Sequence, residues 1–317
     1  GAKEMKKFTK ICIAAGVICM VAGGVVAAVS MIMGAASGSW LERGSEAGRR
    51  LEEWWGVRSH GYPFERLSDD YLDDRVVFGT DMVRNLHLES DWGDVIVLTG
   101  AGTDTVEVYS NAPKDYWNCH LEYDTLNVAV RPKTLDFSDY TGGVVFIEVP
   151  EDFSFSQVDL EINKEDRFRW GRKDNAPYVE VDSLDAQSLK AEVDNGTLVF
   201  TEGEFGSLDL QLDVGVIQAD QIRAEELSAG CDVGTIELHG QVTGNIEAEV
   251  DVGSLEMILE GEPSDYNYKL NSSLGSITID GVSYGGLESS RWIDNNAPRE
   301  MDLGCDVGSV NIEFQEN

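Results

Sequence analysis

Apolar and polar residues alternate through most of the chain after about residue 80, and the alternation recurs as copies of one pattern. The copies begin at Leu189, Leu208, Leu227, Ile246, Tyr268 and Met301. The first four lie 19 residues apart, and the last two follow after 22 and 33 residues. Alternation with a period of two is typical of strands with one face in the core and one in solvent. Each copy is therefore predicted to form a strand, a tight turn and a second strand.

One glycine marks the turn of every copy. These predicted structural turn residues are Gly196, Gly215, Gly234, Gly253, Gly275 and Gly308. An aspartate stands two residues before the glycine in all copies except one, where Ser273 replaces it. Glycine tolerates the backbone angles of a sharp turn, and an aspartate side chain can accept hydrogen bonds from nearby amides.

A single unit of this kind cannot bury its own apolar face, whereas units stacked about 4.8 Å apart can. The pattern predicts an all-β fold over residues 81–317, a single-stranded, parallel β-helix-like β-solenoid with rungs of about 19 residues. The upstream segments, less regular, are expected to form the first rungs. Cys231 and Cys305 occupy the repeat position of Val193, so both are predicted to fill the core.

The N-terminal region has a different pattern, because no charged residue occurs from residue 11 to residue 36. A helix of that length would cover about 39 Å, enough for a hydrocarbon core of about 30 Å. Lys6, Lys7 and Lys10 precede the run and favour a cytoplasmic N-terminus. The run therefore predicts one transmembrane helix and a single-pass protein of the plasma membrane with its C-terminal domain outside.

The predicted organisation is residues 1–10 cytoplasmic, 11–36 transmembrane helix, 37–80 juxtamembrane amphipathic helix and linker, and 81–317 extracellular domain. A cleaved signal peptide is the alternative, since the small residues 34–38 would suit a peptidase. The length of the apolar run favours the anchor.

The net charge of -34, from 58 acidic and 24 basic residues, limits the possible partners. Such a charge repels phosphates, so nucleic acid is not an expected partner. The hydrophobic content of 42% argues against disorder and places the acidic residues on the solvated face of an ordered structure.

The chain lacks the catalytic motifs GxxxxGK and HExxH, and its four histidines share no ligand spacing. No catalytic residue and no cofactor is predicted. The favoured interpretation is a non-catalytic protein of the cell envelope. The alternative is a carbohydrate-active β-helix enzyme acting on an extracellular polysaccharide, which would need carboxylates or basic residues in a groove.

The turn aspartates form the first candidate site. Asp194, Asp213, Asp232 and Asp251 would stack on adjacent rungs, where carboxylates repel unless a cation or hydrogen bonds compensate them. Capping of the turns explains the same residues without a cation. No metal site is predicted beyond this possible cation column.

The second candidate is a basic and aromatic insertion in an acidic chain. Its candidate ligand-binding residues are Arg167, Phe168, Arg169, Trp170, Arg172 and Lys173. They could bind an anionic envelope polymer or lipid headgroups, or dock on the acidic face of the protein itself. Another membrane protein is a further possible partner. A second insertion covers residues 280–300.

The segments GDVIVL, DTVEVYS and TLNVAV, a strand ending in IEVP and the serial D-x-G turns resemble the DUF4097 family of β-strand repeat proteins. The resemblance covers roughly residues 82–317. It implies a role in scaffolding, adhesion or envelope-stress sensing, since relatives are often named candidate adhesins. It supplies no catalytic residues.

Overall fold

The computed structural model describes residues 75–91, 94–99, 103–110, 115–131, 144–163, 177–284 and 289–315. The chain divides into two units, residues 1–69 and 70–317, and every described residue belongs to the second. Within the described ranges the only helical element is one 3-10 turn at Pro263–Asp265, and the remaining regular structure is strand.

Twenty strands form one sheet. They are β1 (Val76–Gly79), β2 (Asn85–Ser90), β3 (Asp94–Thr99), β4 (Thr105–Ser110), β5 (Trp117–Glu122), β6 (Thr125–Val130), β7 (Val144–Val149), β8 (Ser154–Ile162), β9 (Tyr178–Val181), β10 (Leu184–Val193), β11 (Gly196–Phe200), β12 (Gly203–Val242), β13 (Ile246–Val250), β14 (Ser254–Glu260), β15 (Tyr266–Ser272), β16 (Ser276–Ile279), β17 (Val282–Ser283), β18 (Ser289–Ile293), β19 (Arg299–Cys305) and β20 (Ser309–Gln315).

The repeats fold into layers, each with a first strand, a corner and a second strand. β10 and β11 form one such layer, and both pair in parallel with β12, which runs through two layers. The register joins Leu189 to Leu208 and Leu198 to Ile217. The 19-residue sequence period is therefore the step from one layer to the next.

The layers do not follow chain order at either end of the stack. The last pair, β19 and β20, lies between the layer of β13 and β14 and the layer of β15 and β16. At the other end, β2 and β3 lie between the layer of β6 and β7 and the layer of β8 and β9. The first and last layers of the sequence are thus inserted layers.

Antiparallel strands close both ends of the stack. At one end β5 pairs with β6, β4 pairs with β7, and β1 pairs with β4. At the other end β18 pairs with β15, and β17 pairs with β16. These strands cover the backbone groups that the outermost parallel layers would otherwise expose.

The predicted fold class is wrong. The described residues do form an all-β structure, but it is a 20-stranded mixed sheet with antiparallel strands at both ends, and not a single-stranded parallel solenoid preceded by a helix. The prediction failed because alternation fixes which face of a strand is buried and leaves open which strand lies beside it. The intervals of 22 and 33 residues contain the 3-10 turn and the antiparallel strands β17 and β18.

The membrane predictions are also corrected. Across the described part of the chain, no helix has the length and apolar character needed to cross a membrane. The predicted transmembrane helix and the predicted single-pass plasma-membrane localisation are therefore not supported by any helix of the described residues. Residues 11–36, on which both rested, lie outside the described residues, and β1 begins at Val76, inside the predicted linker.

One hydrophobic core runs through all the layers. Each first strand contributes three alternating side chains, such as Leu189, Ala191 and Val193, which are at most 1% exposed. Full burial of an aliphatic side chain contributes about 1.5–3 kcal/mol, so the repeated triplets supply most of the driving force for stacking. Cys231 and Cys305 are 2% exposed and lie in the same core column, as the repeat alignment predicts.

Candidate binding surface

The corners of successive layers bring the turn glycines directly over one another. In stack order they are Gly196, Gly215, Gly234, Gly253, Gly308 and Gly275. A Cβ on Gly234 would lie 2.4 Å from the carbonyl oxygen of Gly215, and one on Gly308 would lie 2.1 Å from that of Gly253. Of the six, only Gly215 has a φ in the range that other residues avoid, at 142°. Close approach between layers is therefore the main requirement for glycine here.

The outward side chains of the first strands form a surface that we name the acidic face. Its carboxylates, which lie in three columns along the stack, are Asp159, Asp209, Glu247, Asp302, Glu89, Glu161, Glu192, Glu249, Asp194, Asp213, Asp232, Asp251 and Asp306. The five corner aspartates follow one another in neighbouring layers, about 4.8 Å apart, and so place like charges close together. The other two columns are interrupted, at Lys190, Gln211, Ser228 and Gly230.

A few cations lie among these carboxylates. Lys190 pairs with Glu192 and Lys269 pairs with Asp302, and in each case the hydrogen bond and the charge of the carboxylate raise the pKa of the lysine. At one end of the stack, Arg131 pairs with Glu89 and its Nε lies 3.1 Å from Asp91 Oδ2. Carboxylates outnumber these lysines and this arginine several-fold, so the face is strongly negative.

The predicted cation column lies along one edge of the acidic face. Asp213, Asp232 and Asp251 are exposed at successive corners, with Asp194 in the layer before them. Backbone hydrogen bonds join the corners of neighbouring layers, such as Val252 N to Asp232 O at 2.8 Å. In the copy with serine, Ser273 Oγ donates to Asp306 Oδ1 at 2.7 Å. Cation binding by the column remains a prediction.

One cluster of possible metal ligands was missed by sequence analysis. His87, Glu89 and Glu161 each place one ligand atom within 4.8 Å of the others. The signal in the sequence is weak, namely His87 and Glu89 two residues apart on one strand. Their partner Glu161 lies on β8, which the repeat period does not connect to β2.

A groove of about 1070 Å³ follows a bend in the first strands of consecutive layers. The carboxylates that line it are Asp185, Glu204, Glu225 and Glu226, and Arg223 Nη1 lies 3.3 Å from Glu204 Oε1. All four carboxylates are exposed. Glycoside hydrolysis by a carboxyl pair needs one acid kept protonated by its surroundings. The groove therefore resembles a solvated binding surface more than a catalytic cleft.

Unlike the charged side chains of the acidic face, several side chains of the second strands are apolar and buried at the end of the stack near β3, β7 and β9. Ile96, Phe146 and Val199 lie outside the main core, yet each is at most 3% exposed. Glu148 is buried there as well and accepts a hydrogen bond from Tyr109 Oη at 2.5 Å. Burial, together with Glu148, raises the pKa of Tyr109 well above its usual value.

The basic and aromatic residues Arg167, Phe168, Arg169, Trp170, Arg172 and Lys173 lie outside the described residues. The described residues stop at Asn163, directly after β8, and resume at Pro177, directly before β9. Ligand binding by this segment remains a prediction.

The second insertion forms part of the closure at the far end of the stack. β17 and β18 lie within it, and Trp292 on β18 is 55% exposed. Arg291 lies over the ring of Tyr284, at 5.4 Å from its centroid. In the described part of the insertion these strands cover the outermost layer, which accounts for its length.

Comparison with solved structures found several proteins of low similarity. A candidate cell adhesion protein from Clostridium sporogenes is 9% identical, covers 76% of this chain and 98% of its own, and has a TM-score of 0.28. A candidate adhesin from Bacteroides fragilis is 12% identical, with 77% and 98% covered and a TM-score of 0.34. A candidate lipid binding protein from Parabacteroides distasonis is 11% identical, with 76% and 98% covered and a TM-score of 0.23.

The family comparison is more specific. No curated protein matches the chain. The family model described as Toastrack DUF4097 matches residues 172–313. This range contains all six repeat copies, the last of which forms most of β19 and of β20. The resemblance seen in the sequence is thereby confirmed, and residues 172–313 of this protein are similar to the Toastrack DUF4097 family.

Proposed function

We propose that the protein is a non-catalytic binding protein with an adhesion-like role, and that its acidic face binds a cationic partner protein. The observation that carries the proposal is the acidic face itself. Its corner aspartates stand at the spacing of the layers, beside strands whose inward side chains are packed in the core, and further carboxylates lie next to them on the first strands. A rigid array of like charges favours a partner with lysine or arginine side chains and speeds their encounter.

The extent of the surface also supports binding over catalysis. The acidic face extends from the layer of Glu89 on β2 to the layer of Asp302 on β19, across the parallel layers of the stack. Protein partners require broad surfaces of this kind, whereas small substrates are usually held in enclosed pockets. The exposed carboxylates of the groove favour the same conclusion over a carbohydrate-active enzyme.

A lysine-rich peptide tests the proposal directly. The full chain should bind a fluorescent peptide of alternating lysine and serine, measured by fluorescence anisotropy, and a glutamate-containing peptide of equal length should not bind. The triple variant Asp232→Asn, Glu249→Gln and Asp251→Asn removes three charges from the centre of the acidic face. We expect it to weaken binding about tenfold or more, because each lost contact removes a charge-assisted interaction.

The groove supplies the matched control. Glu204→Gln, Glu225→Gln and Glu226→Gln remove the same charge from exposed positions off the acidic face. Binding of the lysine peptide should fall only slightly in this variant. Equal losses in the two triple variants would mean that net charge, and not the acidic face, attracts the peptide, and the proposal would be wrong.

A further inference from the structure

The cluster around His87 joins two strands that are distant in sequence. His87 and Glu89 are on β2, and in the parallel register His87 pairs with Asp159 and Glu89 pairs with Glu161 on β8. All four side chains lie on the outward side of the sheet and are partly buried. Two backbones that are rigidly paired therefore hold one imidazole among three carboxylates.

The distances within the cluster match a metal coordination sphere. His87 Nε2 lies 3.3 Å from Glu89 Oε1, and one atom each from His87, Glu89 and Glu161 lie within 4.8 Å of one another. Ligand atoms on a tetrahedral zinc ion, at about 2.0–2.2 Å from the metal, lie roughly 3.3–3.6 Å apart. Small side-chain adjustments would bring all three atoms to that separation.

The second ring nitrogen has the partner that metal-bound histidines usually have. His87 Nδ1 lies 3.5 Å from Asp159 Oδ2. In metal sites a carboxylate at this position accepts the remaining ring N–H, fixes the tautomer and orients the other nitrogen toward the ion. Asp159 would serve as this positioning residue, since it faces the nitrogen that does not face Glu89.

The nearby arginine is compatible with a metal ion. Arg131 contacts Glu89 through Oε2, whereas Oε1 faces the imidazole. The two carboxylate oxygens of Glu89 therefore have separate roles, one toward the guanidinium and one toward the ring. The positive charge of Arg131 would lower affinity for a cation, which predicts a site of moderate strength.

We propose that His87, Glu89 and Glu161 form a three-ligand site for a divalent transition metal ion, best suited to zinc, with Asp159 positioning His87. Zinc takes both imidazole nitrogen and carboxylate oxygen as ligands, whereas calcium and magnesium prefer all-oxygen sites. The ion would connect β2, on the inserted layer, to β8. It would thus fasten the inserted layer to its neighbour.

Isothermal titration calorimetry on the chelator-treated full chain tests the site with zinc chloride as the probe. We expect one zinc ion per chain and a rise in Tm of roughly 5–10 °C at a free zinc concentration of 100 times Kd. His87→Gln should weaken zinc binding at least tenfold, and Asp159→Asn should weaken it about 10–100-fold. Calcium should bind the wild type far more weakly than zinc.

Glu192→Gln is the matched control for Glu161→Gln, because Glu192 pairs with Glu161 on the next layer and belongs to the same column. Glu161→Gln should lower zinc affinity, whereas Glu192→Gln should not. Circular dichroism of each variant at low temperature verifies that it is folded. Equal zinc affinity in the wild type and His87→Gln, or equal losses in Glu161→Gln and Glu192→Gln, would overturn the proposal and indicate diffuse attraction of cations to the acidic face.

Discussion

At the scale of single residues, Gly234 shows how closely the layers approach each other. A Cβ at this position would lie 2.4 Å from the carbonyl oxygen of Gly215 and 2.9 Å from Leu212 Cδ2. The carbonyl belongs to the backbone of the neighbouring layer and cannot turn aside as a flexible side chain could. Any larger residue must therefore push two layers apart at the corner.

We expect Gly234→Ala to lower the free energy of unfolding by about 1–3 kcal/mol, and Gly234→Val to lower it further. Gly304→Ala is the control, because the nearest neighbour of a Cβ at Gly304 would be Glu249 Cγ, at 3.4 Å, and the nearest backbone atom would be Ala248 O, at 3.8 Å. Urea denaturation followed by circular dichroism measures both changes. Equal stability of Gly234→Ala and Gly304→Ala would contradict the close approach described for the corner.

The residues that the sequence predicted correctly are those that obey the repeat. Cys231 and Cys305 are buried in one core column, and burial raises the pKa of the Cys231 thiol to about 12. Val250 lies between them in the register, so the two cysteines are two layers, or roughly 9.6 Å, apart and too distant for a disulfide. His87 could not be placed in the same way, because its contacts with β8 depend on an inserted layer outside the repeats.

At the scale of elements, the inserted strand β19 is held by its first residue. Arg299 Nη1 donates to the carbonyl oxygen of Val242 at 3.1 Å, and its guanidinium lies 4.5 Å from the centroid of the Tyr266 ring. Arg299 Nη2 lies 2.9 Å from Asp265 Oδ2. One side chain thus joins β12, the 3-10 turn and β15 where β19 enters between its neighbours.

Replacing this side chain should loosen the inserted layer. We expect Arg299→Ala to lower the free energy of unfolding by about 1.5–3 kcal/mol, the usual range for hydrogen bonds to a charged group. Arg291→Ala on β18 removes an exposed guanidinium and should change stability by about 0.5 kcal/mol or less. Comparable losses in the two variants, measured by urea denaturation, would show that Arg299 has no special role in fastening β19.

The elements also show where sequence analysis reached its limit. Alternation and the Asp-x-Gly turns predicted the strands and corners of the repeats, because both are local properties of the chain. The position of β19 between β13 and β15 is not local, since all three strands present the same kind of apolar face. Specific contacts such as those of Arg299, of Lys269 with Asp302 and of Ser273 with Asp306 distinguish this order from the order of the chain.

At the scale of the whole molecule, the net charge of -34 opposes folding, because the compact state brings the carboxylates of the acidic face together. Salt screens this repulsion, and the Debye length falls from about 10 Å at 0.1 M to about 3 Å at 1 M. We therefore expect Tm to rise by several degrees when sodium chloride is raised from about 0.05 M to about 1 M. Differential scanning calorimetry measures this change.

The triple variant Asp232→Asn, Glu249→Gln and Asp251→Asn provides the control for this effect. With fewer stacked charges, it should have a higher Tm than the wild type at low salt and a smaller increase on adding salt. An unchanged or falling Tm of the wild type with added salt would show that the carboxylates are already compensated in the folded protein.

The inserted layer has a consequence for synthesis on the ribosome. β15 and β16 emerge before β19 and β20, although both β15 and β16 complete their parallel pairing only on those later strands. The 33 residues between the starts of the last two repeat copies take roughly 2–7 s to translate. During that time the edges of β13 and β14 present open backbone groups that can pair with a strand from another chain. Two neighbouring nascent chains on one messenger RNA therefore have time to exchange their last two strands and to form a strand-swapped dimer.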